Sequence, residues 1–194
     1  SIEFISIPSQ IIQIDNCAFY NCKNLKSIEF SINSELQSIG NECFSYTSIE
    51  SFLIPPLVSQ ISKNAFYMCQ NLKSIEFSED SELKSIDKLA FFHSTIESIS
   101  IPEKVEELKE GWCCCVPKLN RISISSLNSR FSFYNSNMIL GKSNEKVVDY
   151  DVIVFACRDI KNAIIPSTIE RINSFAFDGC DNLKTLEFSE NSEL

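Results

Sequence analysis

The chain has 194 residues, of which 44% are hydrophobic and 22% are charged, and it carries a net charge of −9. Its four glycines form neither GxGxxG nor GxxxxGK[ST], which excludes the Gly-rich loops that hold nucleotide phosphates. An acidic chain without a basic stripe is a poor binder of nucleic acid or of an anionic bilayer, and no apolar run approaches the roughly 18–20 residues of a membrane span.

A short sequence recurs along the chain. NLKSIEFS stands at residues 24–31 and again at 71–78, and NLKTLEFS stands at residues 182–189. Repetition of this kind is typical of a stacked repeat protein. Since the first and last residues both fall inside a repeat, we expect the chain to be a fragment of a longer protein. The units follow one another in steps of 23, 24, 23, 24, 23, 41 and 23 residues, and they open at Ile2, Leu25, Ile49, Leu72, Ile96, Leu119, Ile160 and Leu183.

Each unit begins with a predicted strand. In Leu25-x-x-Ile28-x-Phe30 the last two apolar residues follow the period of two that is typical of a strand. The residues between them, Ser27 and Glu29, therefore point to the opposite face. In alternate units a proline follows at once and ends the strand, because it has no N–H to donate to a neighbouring strand.

The second half of each unit predicts a turn and a short helix. An Asp or Ser such as Asp15 or Ser62 can cap the helix start, and an Ala-Phe pair such as Ala65-Phe66 would point inward. An Asn then stands just before the next strand, where we expect it to end the helix in the left-handed conformation. This residue is Asn24, Asn71 or Asn182 in the three most similar units.

No single unit buries its own apolar stripe, whereas stacked units share a continuous core. Leu25-x-x-Ile28-x-Phe30-x-x-Asn33 also fits the L-x-x-L-x-L-x-x-N pattern of leucine-rich repeats. We expect residues 1–194 to form a single α/β solenoid, a right-handed superhelix with eight strands in one parallel sheet on the concave side and short helices on the convex side. The interior column of that sheet is predicted to contain Ile28, Phe52, Ile75, Ile99 and Ile122.

The unit that is longest departs from the pattern at about residues 125–159. It has apolar runs at Arg130–Tyr134, Met138–Leu140 and Val152–Ala156, with the turn-rich stretch Gly141–Asn144 between the last two. These features predict an irregular, hairpin-like insert that replaces one helix. Inserts of this length are either functional or structural patches, and the sequence leaves both readings open.

A second departure is the sequence GWCCCV at residues 111–116. Trp112 stands where other units have Ala, and Cys113 stands where they have Phe. A larger residue beside a smaller one indicates an exchange of volume inside the same core.

Two stretches carry a resemblance to a known family. IPSQIIQIDNCAFYNCKNLKSIEF and IPSTIERINSFAFDGCDNLKTLEF resemble the BspA-type leucine-rich repeat, whose pattern is I-P-x-x-V-x-x-I-x-x-x-A-F-x-x-C-x-x-L-x-x-I-x-[LF]. The similarity covers roughly residues 1–124 and 160–194. Proteins with this repeat are similar to surface antigens of parasitic protists and of anaerobic bacteria. The resemblance implies a cell-surface or secreted protein that acts in adhesion or protein binding, without enzyme activity.

Few residues are candidates for chemistry. His93 is the only histidine, whereas metal sites usually use several His or Cys ligands and a Ser or Cys nucleophile usually needs a His base. We interpret His93 as a surface residue of a helix and predict no catalytic, cofactor or metal site. The acidic residues form no pair suited to general acid–base catalysis.

The nine cysteines predict few cross-links. Cys22, Cys69 and Cys180 share one position in alternate units, about 9–10 Å apart, whereas a disulfide requires Cα atoms within roughly 7 Å. We interpret them as small buried hydrophobic residues. Cys17 and Cys43, in adjacent units, remain a possible pair.

The outward strand positions predict a floor of mostly small residues. Such a floor could accept a protein or a glycan, and it contains no general acid, base or metal ligand. Within it, a row of glutamates in alternate units either promotes solubility or recognises a basic partner. The candidate partner-binding residues on the concave face are Ser27, Glu29, Ser51, Leu53, Ser74, Glu76, Ser98, Ser100, Arg121 and Ser123.

Two functions are therefore considered. The first is a non-catalytic binding scaffold, because solenoids present extended concave surfaces to other macromolecules. The second is an intracellular structural element packed in a larger assembly. The second is favoured by the odd number of cysteines and by the absence of any N-x-[ST] glycosylation sequence.

Overall fold

The computed structural model describes residues 2–190. The third Ser-Glu-Leu copy, at residues 192–194, lies outside this range. Within it the chain forms seventeen strands, numbered in chain order: β1 Phe4–Ile7, β2 Gln13–Ile14, β3 Ser27–Phe30, β4 Ser38–Ile39, β5 Ser51–Ile54, β6 Gln60–Ile61, β7 Ser74–Phe77, β8 Ser85–Ile86, β9 Ser98–Ile101, β10 Glu107–Leu108, β11 Arg121–Ile124, β12 Phe131–Tyr134, β13 Met138–Gly141, β14 Val152–Ala156, β15 Asn162–Ile165, β16 Arg171–Ile172 and β17 Thr185–Phe188.

The eight predicted strands are present, one in each coil of a parallel-strand solenoid. They are β1, β3, β5, β7, β9, β11, β15 and β17, and each is four residues long. They do not form the single sheet that the sequence predicts. Instead, β5–β7–β9–β11 form a continuous four-stranded sheet, while β1–β3 and β15–β17 form separate pairs. The insert separates β11 from β15, and this accounts for the break towards the C-terminus.

The predicted register of these strands is confirmed. Phe52 is paired with Ile75, and Ile99 with Ile122, in parallel ladders. These four side chains are buried, and Ile28 is half-buried nearer the N-terminal end. Alternate residues point outward because side chains in a strand alternate between its two faces.

A second parallel sheet, which the sequence analysis did not predict, lies in the other half of each coil. It consists of two-residue strands in the order β10–β8–β6–β4–β2. The second residue of each strand is buried and forms another column of the core: Ile14, Ile39, Ile61, Ile86 and Leu108. The solenoid is therefore held by two parallel ladders rather than by strands on one side and helices on the other.

The predicted convex helices are wrong, since residues 2–190 contain no helix. The segments after the short strands are successive turns in which every second amide donates to the next coil, whereas the amides between them donate to the carbonyl three residues back in their own coil. The Phe44 N–H donates to the carbonyl of Ala65 at 2.9 Å, and the Phe66 N–H donates to that of Ala90 at 2.9 Å. These bonds replace the i→i−4 ladder that defines an α-helix.

The backbone of these turns explains why a helix does not form. Each of the first four turns has two left-handed residues four positions apart, for example Glu42 and Tyr46 with φ of 55° and 59°. A right-handed helix cannot include them. The left-handed asparagine in the first unit is Asn21, with φ of 60°, rather than the predicted Asn24. Asn71 and Asn182 likewise do not have a positive φ.

The inward aromatic residues form a continuous column. Ring centroids are 5.5 Å apart between Phe19 and Phe44 and between Phe44 and Phe66, and 5.7 Å apart between Phe66 and Phe91. The Trp112 ring continues the column because its centroid lies 6.4 Å from that of Phe91. The next ring, Phe155 of β14, is 5.8 Å from Trp112. Trp112 and Cys113 are both buried, so the exchange of volume predicted at this position is consistent with the packing.

Residues 131–156 form an antiparallel arrangement that joins the solenoid at one edge. β12 pairs with β13, and β13 pairs with β14, in antiparallel ladders. Asn135 and Ser136 lie in the three-residue turn between β12 and β13 and have φ of 48° and 55°, and the Asn137 N–H donates to the carbonyl of Tyr134 at 3.1 Å. β14 is parallel to β16, so the insert occupies one position in the second ladder of the solenoid.

Candidate binding groove

The structure places all ten predicted residues on the outward side of the long strands. Eight of them lie together on the four-stranded sheet, at Ser51, Leu53, Ser74, Glu76, Ser98, Ser100, Arg121 and Ser123. Ser27 and Glu29 lie on β3, in the separate N-terminal pair. We call the outward residues of the eight four-residue strands the long-strand face.

A groove of about 1050 Å³ lies on this face above β7, β9 and β11. Its floor contains Ser74, Glu76, Ser98, Ser100, Arg121 and Ser123. Ser27, Glu29, Ser51 and Leu53 do not line it. The groove is therefore confined to the C-terminal half of the predicted surface.

The walls of the groove were not predicted. One side is formed by the loops after β7 and β9, at residues 78–81 and 102–104. At the end beside the insert, Leu127 and Phe133 line it. Leu127 is 70% exposed, so an apolar side chain is available to a bound molecule there. The only sequence signal for this wall was the unusual length of the insert.

A buried asparagine fixes the end wall. The side-chain amide of Asn128 donates to the carbonyls of Pro102 at 2.8 Å and Val105 at 3.0 Å. Its side-chain oxygen accepts from the N–H groups of Arg130 at 2.9 Å and Phe131 at 2.8 Å. All four hydrogen-bonding positions of the side-chain amide are used, so Asn128 holds the loop of one coil against the start of β12. Asn33, which completes the leucine-rich-repeat pattern in the second unit, is exposed.

The groove has an excess of negative charge. The Lys104 ammonium lies 2.6 Å from Glu82, and the Arg121 guanidinium lies 3.5 Å from Glu97, so both cations already have acidic partners. The hydrogen bond from Lys104 lowers the pKa of Glu82. Four carboxylates line the groove itself, and they have no basic side chain within 4 Å among the described residues: Glu76, Glu79, Asp80 and Glu103.

The turns that follow the short strands, which we call the convex turns, carry a second surface feature, a partly exposed stack of aromatic rings. Tyr20 and Tyr46 have centroids 5.7 Å apart, Tyr46 and Tyr67 also 5.7 Å, and Tyr67 and Phe92 4.8 Å. The ring of His93 meets that of Phe92 edge-on at 4.4 Å. His93 is exposed, as predicted, but it lies in a left-handed turn with φ of 54° and not in a helix.

Metal-binding and nucleophilic groups are not assembled in the described part of the chain. Residues 2–190 contain no group of three or more His, Cys, Asp or Glu placed to hold a metal ion. Burial raises the pKa of Cys43 to about 12 and that of Cys69 to about 11. Thiols with such pKa values stay protonated at neutral pH, and it is the thiolate that acts as nucleophile or metal ligand.

All nine cysteines, which lie within the described residues, are free thiols. The pair that the sequence left open, Cys17 and Cys43, is therefore not bonded. Cys69 is fully buried, whereas Cys22 and Cys180 are half-buried. The Cys69 thiol donates to the carbonyl of Phe44 at 3.0 Å, so it fills the core without leaving its hydrogen unpaired.

The whole sequence matches a known repeat. The model of the BspA-type leucine-rich repeat region, with six copies, matches residues 1–115 and 116–194. No curated protein sequence matches the chain significantly. Among residues 2–190, none forms a helix of the length and hydrophobicity required to cross a membrane.

Three solved structures are similar to the chain. The pneumococcal vaccine antigen PcpA is 25% identical, with a TM-score of 0.89 over 98% of this chain and 46% of PcpA. A leucine-rich-repeat protein of Eubacterium ventriosum is 21% identical, with a TM-score of 0.81 over 98% of this chain and 48% of that protein. A leucine-rich cell surface protein of Faecalibacterium prausnitzii is 17% identical, with a TM-score of 0.67 over 97% of this chain and 61% of that protein.

The chain therefore spans between 46% and 61% of the length of these three proteins. The two that are less than 25% identical support the fold alone. None of the three is described as an enzyme.

Proposed function

Because the chain belongs to the BspA-type leucine-rich-repeat family, we propose that it is a non-catalytic scaffold that binds another protein through the long-strand face. The observation that carries this proposal is the groove of about 1050 Å³ above β7, β9 and β11, on a sheet face that the rest of the described chain leaves uncovered. Its serine-rich floor admits close approach of a partner. Solenoids commonly present such extended surfaces to macromolecules.

The proposed location is the cell surface, and the proposed role is adhesion. Support comes from the structural relative at 25% identity, a pneumococcal vaccine antigen. We treat residues 1–194 as a single solenoid with an insert at about 125–159, since the insert shares the second ladder through β14 and β16. A glycan ligand on the same face is the other partner class that the serine floor would accept.

The test places bulky charge at the centre of the floor. Ser74→Arg and Ser98→Arg should abolish binding to a partner isolated from surface extracts, while changing the free energy of unfolding by no more than about 0.5 kcal/mol because both side chains point outward. Glu76→Lys tests the contribution of charge separately. Its effect should shrink with added salt, since an exposed charge is screened.

The control lies on the convex turns, at Lys63 and Lys88. Lys63→Glu should leave binding unchanged. If Lys63→Glu abolishes binding and Ser74→Arg does not, then the partner sits on the convex side and the proposal is wrong.

The second candidate function is an intracellular structural element. It is favoured by the nine free thiols, because cysteines usually remain reduced inside cells. Titration of all thiols in protein that is purified and unfolded without reductant, with a reduced sample as the reference, separates the two candidates. Disulfide-bonded cysteines in that material would oppose the intracellular one.

A further inference from the structure

We propose that the groove above β7, β9 and β11 takes an extended, lysine- or arginine-bearing segment of a protein partner, with an apolar residue of that segment seated at Leu127 and Phe133. This inference rests on the proposed function, because it assumes that the long-strand face binds a protein. It adds the position of the site, the chemistry of the segment and the direction in which the segment lies.

Acidic residues are concentrated in the loops beside the groove. The two residues after the Ser or Pro that closes each long strand form a loop pair, which recurs in every coil. In the first seven coils these pairs are Ser9-Gln10, Ile32-Asn33, Pro56-Leu57, Glu79-Asp80, Glu103-Lys104, Ser126-Leu127 and Ser167-Thr168. In these seven coils acidic residues stand only in two of the three pairs that border the groove, Glu79-Asp80 and Glu103-Lys104. The eighth coil adds Glu190 at the far end. The wall of the groove is therefore more acidic than the same edge of the neighbouring coils.

These carboxylates are available to a basic partner. The groove holds two cationic side chains, and each already pairs with an acid of the preceding coil: Lys104 with Glu82, and Arg121 with Glu97. Glu76, Glu79 and Glu103 are left without a basic neighbour among the described residues. A segment with spaced lysine or arginine residues would complement them, and complementary charge also raises the association rate.

The shape of the groove suits an extended segment. A volume of about 1050 Å³ reaches the upper end of the range found for small-molecule sites, and the groove is open along the floor rather than enclosed. The serines of the floor have short side chains that let a backbone approach. In an extended segment every second side chain points the same way, so basic residues at alternate positions can all face the acidic wall.

The end wall of the groove differs from its other sides. Leu127 is 70% exposed, and Phe133 lines the groove beside it, so the insert supplies an apolar contact at one end only. Asn128 holds this wall in place through contacts with Pro102 and Phe131. An apolar residue next to the basic ones would therefore bind in one direction, with its apolar end at the insert.

The test uses a fluorescein-labelled peptide of sequence Phe-Ser-Lys-Ser-Arg-Ser-Lys and a control peptide in which the three basic residues are glutamates. Anisotropy is measured with the full chain at low and moderate salt. The basic peptide should bind and the acidic one should not. Replacing the first residue of the basic peptide by Ser should weaken binding about tenfold, as should Phe133→Ala in the protein, because each removes the apolar contact.

Two double variants change the net charge of the chain by the same amount, one inside the groove and one outside it. The double variant Glu79→Lys with Glu103→Lys should weaken peptide binding at least about tenfold, whereas Glu35→Lys with Glu50→Lys, on exposed positions outside the groove, should weaken it less than about twofold. Equal losses in the two double variants would show that the peptide follows overall charge, and the inference would be overturned. Absence of binding at about 1 mM peptide would overturn it as well.

Failure of the groove inference can be distinguished from failure of the proposed function. A surface partner whose binding is lost in Ser74→Arg but unchanged in the Glu79→Lys, Glu103→Lys variant would overturn the groove inference and leave the long-strand face as the binding surface. A partner whose binding is lost only in Lys63→Glu would overturn both the groove inference and the proposed function.

Discussion

Phe66 lies at the centre of the interior aromatic column. Its side chain is fully buried, and its ring centroid is 4.9 Å from that of Phe52, 5.5 Å from Phe44 and 5.7 Å from Phe91. Phe66→Ala should lower the free energy of unfolding by about 3–5 kcal/mol, because the change leaves a cavity between neighbouring coils. Denaturant unfolding measures this. Phe4→Ala, which removes a half-exposed ring, is the control and should lower the free energy of unfolding much less. An unchanged denaturation midpoint in Phe66→Ala would show that the column is not a packed core.

Cys69 makes the stability depend on pH in the alkaline range. Burial raises the pKa of its thiol from 9.0 to about 11 in the folded chain. Below pH 9 the thiol is protonated in both states and its contribution is complete. Between about pH 9 and pH 11 the unfolded chain loses this proton first, so stability falls by up to about 3 kcal/mol.

The Cys69→Ala variant isolates that contribution. The gap in the free energy of unfolding between wild type and variant should narrow as the pH rises from 9 to 11. Cys17→Ala, which removes an exposed thiol, is the matched control. If the free energy of unfolding falls equally steeply with pH in Cys69→Ala and in Cys17→Ala, the pH dependence does not come from Cys69.

At the scale of elements, the convex turns store strain in residues other than glycine. Glu42 has a φ of 55°, and its N–H donates to the carbonyl of Lys63 in the next coil at 3.0 Å. A residue with a Cβ is disfavoured in this conformation by roughly 1–2 kcal/mol, whereas glycine is not. Glu42→Gly should therefore unfold at higher denaturant than Glu42→Ala, by about 1 kcal/mol in free energy.

The same pair of substitutions at Glu35 serves as the control. Glu35 is exposed and does not have a positive φ, so alanine should be at least as stable as glycine there. If glycine is also worse than alanine at position 42, then the left-handed turn does not strain the chain.

These turns also show which part of the fold the sequence could predict. The strands were readable because alternation with a period of two is a local signal, carried by residues such as Ile28 and Phe30. The turns were misread as helices because Ser62 and Ala65-Phe66 resemble a capped helix start. What decides against the helix is a bond from Phe66 to Ala90, 24 residues away, and left-handed conformations at residues that rarely adopt them.

At the scale of the whole molecule, one part of the candidate groove could be predicted from the sequence and another part could not. The floor of the groove was predictable, since Ser74 and Ser98 follow from the strand alternation alone. The wall at Leu127 and Phe133 was not, because its position depends on how the insert packs against the solenoid. Asn128 fixes that packing through carbonyls of another coil, and these contacts have no local signature.

The core consists of two clusters that meet at the insert. The larger contains buried residues from Ile14 to Cys157, and the smaller contains buried residues from Met138 to Ala176. Arg158 follows β14 at this junction and is only 4% exposed. Its guanidinium donates to the carbonyls of Cys113 at 3.0 Å and Ala156 at 3.3 Å, and so connects the insert to the coil before it.

The Arg158 guanidinium also lies over the Phe155 ring, 4.3 Å from its centroid. A lysine keeps the charge but loses the planar fork that makes these contacts together. Arg158→Lys should therefore lower the free energy of unfolding by about 1–3 kcal/mol. Arg121→Lys, which changes an exposed arginine in the same way, is the control and should have little effect.

The location of this loss distinguishes two descriptions of the molecule. In a solenoid each coil contacts mainly its neighbours, so a local loss should remain local. Native-state hydrogen exchange of Arg158→Lys should show faster exchange at residues 152–180 and little change at residues 38–101. Phe66→Ala should give the reverse pattern. Equal acceleration along the whole chain in either variant would mean that the coils unfold as one cooperative unit, and that the junction at Arg158 transmits the loss instead of confining it.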